Sequence, residues 1–164
     1  MIYYIFRHGE TYYSKNDVLY EDNNMTAEIL PESIPVSERM ANYLLDKIDD
    51  QNYTSPFIRA VQTVDIITKI TKKKFLPDER LKEEGLSRAE ETFRQLEGRL
   101  KNFINEIEGK KFNNVAICSH GWPIATMLAI LIKGKVNRTD LGNFPKCGQL
   151  LIVENRSLKT LDFN

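Results

Sequence analysis

The chain has 164 residues, 41% of them hydrophobic and 28% charged, which suits one domain, residues 1–164, around a single core. Its 23 Lys and Arg balance 23 Asp and Glu, so the net charge calls for neither nucleic acid nor an anionic membrane as a partner. Any affinity for an anionic ligand must come from a local cluster of cations.

The opening "MIYYIF" is too short for a signal peptide and lacks a basic leader. The longest apolar stretch, "WPIATMLAILI" at 122–132, falls short of the roughly 18–20 residues that span a bilayer. These features predict a soluble, cytoplasmic protein. Cys118 and Cys147 are too few for a disulfide framework and fit no zinc spacing, so both are expected to pack as small apolar side chains.

In chain order, "IYYIF" at 2–6 reads as a buried strand, stopped by charge and glycine. Residues 12–33 are polar and irregular, with room for a short helix. "SERMANYLLDKIDD" reads as a helix capped by Ser37, with an apolar stripe at 40, 41, 44, 45 and 48. "QNYTS" is a short connection or strand. "SPFIRAVQTVDIITKITKKK" opens as a helix should, with Ser55 as cap and Pro56 at the first helical position. Phe57, Ala60, Val61, Val64 and Ile67 mark its buried face, and the lysines at 69 and 72–74 crowd an end where cations suit the helix dipole. "PDERLKEEG" is a loop after a short strand. Ser87 and Glu90 form a capping-box pattern ahead of a helix with apolar positions 89, 93, 96, 100, 103 and 107. "NVAICS" at 114–119 is a second buried strand, followed by an apolar helix over 122–132. "QLLIVENRSLKTLDF" reads as two strands joined by a turn at Asn155–Ser157. Alternating strands and helices predict a three-layer α/β sandwich with a mostly parallel central sheet.

The chain has two histidines, His8 and His120, and each directly follows an apolar strand and precedes a glycine. Residues just past strand C-termini of a parallel sheet gather along one edge, where ligands bind. The two histidines are therefore expected to meet, although 112 positions apart. Arg7 adjoins His8, Arg59 sits in the first turn of a helix, and Glu83 lies in a loop after a strand. Two arginines, two histidines and helix N-termini describe a pocket for a dianionic phosphate.

"RHGET" after the first strand, "SPFIRAVQT" opening a helix, "RLKEEG" in a loop and "AICSHG" late in the chain resemble the histidine phosphatase superfamily. That group includes the phosphoglycerate mutases, and the likeness spans residues 1 to about 133 in order. It implies a phosphoglycerate mutase-like fold with a minimal cap. It implies that His8 becomes phosphohistidine, that Arg7, Arg59 and His120 clamp the phosphate, that Thr11 lines the pocket, and that Glu83 protonates the leaving group. No metal or other cofactor is implied, and the partner is a phosphorylated small molecule. Some relatives dimerise, so a homodimer stays open.

Several positions depart from the pattern. The family continues RHGETxxN, whereas this chain has Ser14 there, a shorter group that reaches a phosphate through water. The acid loop is compressed, which makes Glu84 a rival to Glu83 and removes the insertion that caps the pocket in mutases. A short cap favours release and hydrolysis, so a phosphatase is expected rather than a mutase. A protein phosphohistidine phosphatase and a silent phosphate-binding domain are the other readings. Tyr12, Tyr13 and Trp122 are candidates for the pocket mouth, with packing an equally good reading of each. A cysteine phosphatase is excluded because C-x5-R fails at Ile124 and Val153, and G-x-S-x-G fails around Ser119 at Ile117.

Overall fold

The arrangement was obtained as a computed structural model, which describes residues 1–83 and 93–164. Six strands form one sheet in the order β3-β2-β4-β1-β5-β6, with β1 at Ile2–Arg7, β2 at Asn52–Thr54, β3 at Phe75–Pro77, β4 at Asn114–Ser119, β5 at Gln149–Glu154 and β6 at Ser157–Asp162. The first four strands are parallel and the last two form an antiparallel hairpin on the β1 edge. That hairpin turns at Asn155 and Arg156, both with positive φ, as a tight two-residue turn requires.

The helices α1 (Tyr12–Asn16), α2 (Ser33–Leu44), α3 (Ile58–Thr71), α4 (Phe93–Gly109) and α5 (Gly121–Lys133) complete the chain. β1 and β4 are buried along most of their length, so alternate side chains serve opposite faces. Tyr3, Ile5, Val115 and Ile117 pack with Leu96, Leu100 and Phe103 of α4 and with Ile124 and Met127 of α5. Tyr4, Phe6, Ala116 and Cys118 pack with Met40 and Leu44 of α2 and with Val64 and Ile67 of α3. This is the expected three-layer α/β sandwich. Among the described residues no helix is long and apolar enough to cross a membrane.

Four local expectations are corrected. Helix α2 begins at Ser33 rather than after Ser37, and Ser37 lies buried inside it. Pro35 does not block this start, because N–H groups in a first turn have no intrahelical acceptor. Leu45, expected in the apolar stripe, is exposed, while Ile48 beyond the helix end is buried. Helix α3 begins at Ile58 rather than at Pro56, with Phe57 in extended backbone as its cap position. Cys147 is only half-buried, unlike Cys118. The Ser87–Glu90 cap, apolar position 89 and Glu84 fall outside the described residues.

Candidate active site

Parallel pairing of β1 with β4 aligns Arg7 with Ser119, so the next residues, His8 and His120, leave the sheet side by side. The backbone bond from His8 N–H to the Ser119 carbonyl, 3.1 Å, extends the ladder by one step. The two imidazole rings then lie 5.0 Å apart between centroids, both buried. The sequence expectation that these histidines meet is the geometry found.

The other groups arrive from neighbouring strand ends. Beyond β2, the Ser55 N–H donates to the Cys118 carbonyl at 2.9 Å, holding this exit beside β4. Its hydroxyl is 2.7 Å from His120 Nε2. Ser55 was expected only as a helix cap. The hydroxyl does accept the Phe57 N–H at 3.3 Å, but it also fixes the second histidine. In the first turn of α3, Arg59 is fully buried, an arrangement that needs polar partners for its guanidinium. Thr63, four residues on, donates to the Arg59 carbonyl at 2.7 Å and accepts the Gly9 N–H at 2.8 Å. It thereby ties α3 to the loop that carries His8. Thr63 closes the "RAVQT" motif, and the i to i+4 spacing from Arg59 was the available signal.

His8 Nδ1 lies 2.7 Å from the Gly9 carbonyl. A carbonyl only accepts, so Nδ1 carries the proton and the Nε2 lone pair is left free. Burial, and then the charges of Arg59 and Arg7, hold the His8 pKa well below the usual imidazole range. His120 is lowered in the same direction by burial, with Arg59 and His8 next. Both rings are therefore neutral at pH 7.

Glu83 is reached through a short 3-10 turn, Glu79–Leu81, after β3. The Ser119 hydroxyl donates to the Leu81 carbonyl at 2.7 Å, and Arg99 of α4 donates to the carbonyls of Arg80 and Lys82. The acid loop is thus braced from both sides. Burial pushes the Glu83 carboxyl up to about 7, against Arg7, Arg59 and the Trp122 N–H, which all favour its charged form. Its Oε1 is buried without a hydrogen-bond partner among the described residues, as are Arg7 Nε, Arg59 Nε and His120 Nδ1. All four belong to candidate site residues, and buried polar atoms without partners suit a place that receives a polar ligand.

The remaining candidates divide. Thr11 is buried and caps α1, accepting the Ser14 N–H at 3.1 Å. The Ser14 hydroxyl accepts the Thr11 N–H at 2.9 Å, so its side chain closes this capping box. Trp122 offers its amide to Glu83 while its ring packs against the core. Tyr12 is 62% exposed and stands edge-on to Tyr13. Tyr13 stacks on Tyr20 at 4.8 Å. Tyr20 and Asn24 were not foreseen. Asn24 accepts from both terminal nitrogens of Arg59, through its carbonyl and, at 3.1 Å, its Oδ1. The Arg59 guanidinium lies 4.2 Å from the Tyr20 ring centre. No periodicity or motif points to either residue, since they only flank a single 3-10 turn, Glu21–Asn23, in a polar stretch.

A buried pair of neutral imidazoles, two guanidinium groups and one carboxyl poised near neutrality come together on this α/β scaffold, a set of groups suited to binding a phosphoryl anion. The family model "Histidine phosphatase superfamily (branch 1)" matches residues 3–92 and 84–157. The chain belongs to that superfamily. Among solved structures it is similar to the alpha-ribazole phosphatase from Shigella flexneri, with 20% identity, TM-score 0.78, and 99% of this chain and 96% of that one covered. It is also similar to a phosphoserine phosphatase from Entamoeba histolytica, at 17% identity, TM-score 0.76, and 99% and 96% coverage. The protein histidine phosphatase SixA aligns at 16% identity, TM-score 0.68, and 98% and 94% coverage. At these identities the likeness is one of fold. Comparison with curated protein sequences gave no match.

Proposed function

We propose that this protein hydrolyses a small phosphomonoester without a metal ion, through a phosphohistidine at His8. The observation that carries this reading is the His8–His120 pair at 5.0 Å, within the field of Arg7 and Arg59, which also acts on Glu83.

The chemistry follows from the protonation states. The lone pair on His8 Nε2 attacks phosphorus as the ester P–O bond breaks. The Gly9 carbonyl, on the Nδ1 proton, stabilises the imidazolium-like ring that develops. Arg7, Arg59 and His120 take the phosphoryl oxygens, whose charge is spread in transfer. Glu83, protonated below about 7, gives its proton to the departing alkoxide. In the second half, Glu83 as carboxylate takes a proton from water, the water oxygen attacks phosphorus, and the P–N bond breaks. Neutral His8, protonated Glu83 and inorganic phosphate result.

Hydrolysis is favoured over mutase action by chain length. The chain passes from the end of β3 at Pro77 to the start of α4 at Phe93, too short a path for a long capping insertion. A mutase has to retain its bisphosphate intermediate. The test is a screen of phosphorylated metabolites with His8→Ala as control. Acid-labile phosphate on the wild type and none on the variant is expected. No turnover of any monoester, with no phosphoprotein trapped, overturns the reading. Preferential turnover of a phosphohistidine protein would move the substrate from metabolite to protein, and faster interconversion of phosphoglycerates than hydrolysis would make it a mutase.

A further inference from the structure

The segment from Val18 to Thr26 covers the site, and it does so with acceptors. The Asn24 carbonyl and Oδ1 take the two arms of Arg59. The next carbonyl, Met25, accepts the Ile58 N–H at 3.2 Å, the first amide of α3. A guanidinium fork and a helix N-terminus are the donors a phosphoryl anion would use. Three oxygens of one loop therefore stand where phosphoryl oxygens belong. Tyr20 completes the cover. Its ring lies on the Arg59 guanidinium and edge-on to His8 at 6.5 Å, and its hydroxyl is 2.8 Å from Thr11 Oγ1. His8 is left 1% exposed, and Arg59 and His120 are 0% exposed.

A nucleophile sealed in this way cannot meet a substrate, so the segment has to leave. Its construction permits this. Val18, Leu19 and Met25 are exposed and contribute little burial, so what holds the strip down is mainly polar: Asn24 on Arg59, the Asn24 Nδ2–H donated to the Glu83 carbonyl at 3.0 Å, and the Tyr20 hydroxyl with Thr11. The break at its start is Asp17, in left-handed backbone at the end of α1, with φ 53°. At its far end Ala27 is buried, and the chain is tied to the nucleophile loop by the Thr11–Ile29 bridge and by Leu30 N–H on the Glu10 carbonyl at 2.7 Å. A short strip between two fixed points can swing without unfolding the sheet.

We propose that residues 18–26 form a gate that competes with substrate, in which Asn24 is an internal stand-in for the phosphoryl group on Arg59. Phosphate binding displaces Asn24 and frees the path to His8. Asn24 is thus a specificity and affinity determinant that acts against the ligand. This inference rests on the phosphatase reading, because it takes Arg59 to be a phosphate ligand.

The sign of the effect makes it testable. Asn24→Gly removes the side-chain acceptor on Arg59 together with the donor to the Glu83 carbonyl, and loosens the strip, so orthovanadate should inhibit the variant at about five- to tenfold lower concentration than the wild type. Asn24→Asp puts a full charge on Arg59 and should raise that concentration by tenfold or more. Tyr20→Phe, which keeps the stacking and loses only the bond to Thr11, should fall between the wild type and Asn24→Gly. If Asn24→Gly binds vanadate equally or more weakly while the wild type hydrolyses monoesters, the gate is wrong and the phosphatase stands. If calorimetry finds no vanadate binding to wild type or either Asn24 variant, with all three folded, both readings fall.

Discussion

Replacing Glu83 with glutamine keeps the shape of the acid loop and removes its titrating proton, so it probes stability and catalysis with one change. The wild-type carboxyl moves from an ordinary value near 4.5 to about 7 on folding. Between those values the folded protein holds a proton that the unfolded chain has released. Wild-type stability therefore falls as pH rises through this window. At about 1.4 kcal/mol per pH unit the full effect is about 3.5 kcal/mol, and solvent access to this half-buried residue brings it to about 2–3. The glutamine variant has no such dependence at this position. Urea unfolding at intervals from pH 4 to pH 8 should show the variant gaining about 2–3 kcal/mol on the wild type across the range. Catalysis should move the other way. Turnover of an alkyl phosphate should fall by about a hundred- to ten-thousand-fold, and that of an aryl ester with an acidic leaving group by much less. Parallel pH–stability curves for the two proteins would refute the burial argument, and undiminished turnover of the alkyl ester would refute the acid role.

The pH profile of wild-type phosphoenzyme formation should decline above about 7, as Glu83 loses its proton. No limb should appear near pH 6.5, because His8 stays neutral there, and rapid-quench measurements of the burst would read both features. Arg59→Ala should raise KM and lower kcat on any monoester, since it removes a charge that binds the phosphoryl group in the ground state and binds it more strongly in the transition state. Gly9→Ala would bring a Cβ within 2.9 Å of Ser33 Cβ, so α2 has to shift away from the nucleophile loop. A loss of about 1–3 kcal/mol by urea unfolding is expected. Phe103→Ala empties a fully buried position packed edge-on to Tyr53 at 5.3 Å, and should cost about 3–5 kcal/mol while leaving the substrate KM of the folded fraction unchanged.

Much of this protein is written in local pattern. The runs "IYYIF" and "NVAICS" are strands because apolar, β-rich segments of that length have nowhere to go but a sheet interior, and "WPIATMLAILI" is a helix because its length exceeds a strand's. "ENRS" turns the last hairpin because two adjacent positions there must take positive φ. The meeting of His8 with His120 was legible for a similar reason. Each ends a strand, and parallel strands deliver their ends to one edge. Helix starts were less legible, because Pro35 is compatible with a first turn as well as with a loop, and because the Ser55 hydroxyl serves His120 as well as the Phe57 amide.

The sequence by itself determined which residues are candidates for the chemistry and that they lie at or just past strand ends and helix starts. Motif, periodicity and strand-end logic are local properties, and Arg7, His8, Arg59, Glu83 and His120 all lie within such segments. Only the tertiary structure decided how those residues are conditioned. Burial, which raises Glu83 to about 7 and keeps both histidines neutral, depends on what distant elements cover them. The contact of Tyr20 and Asn24 with Arg59 joins the two ends of a short 3-10 turn to a helix, 35 positions on from Asn24, and no period of 2 or 3.6 encodes such a meeting.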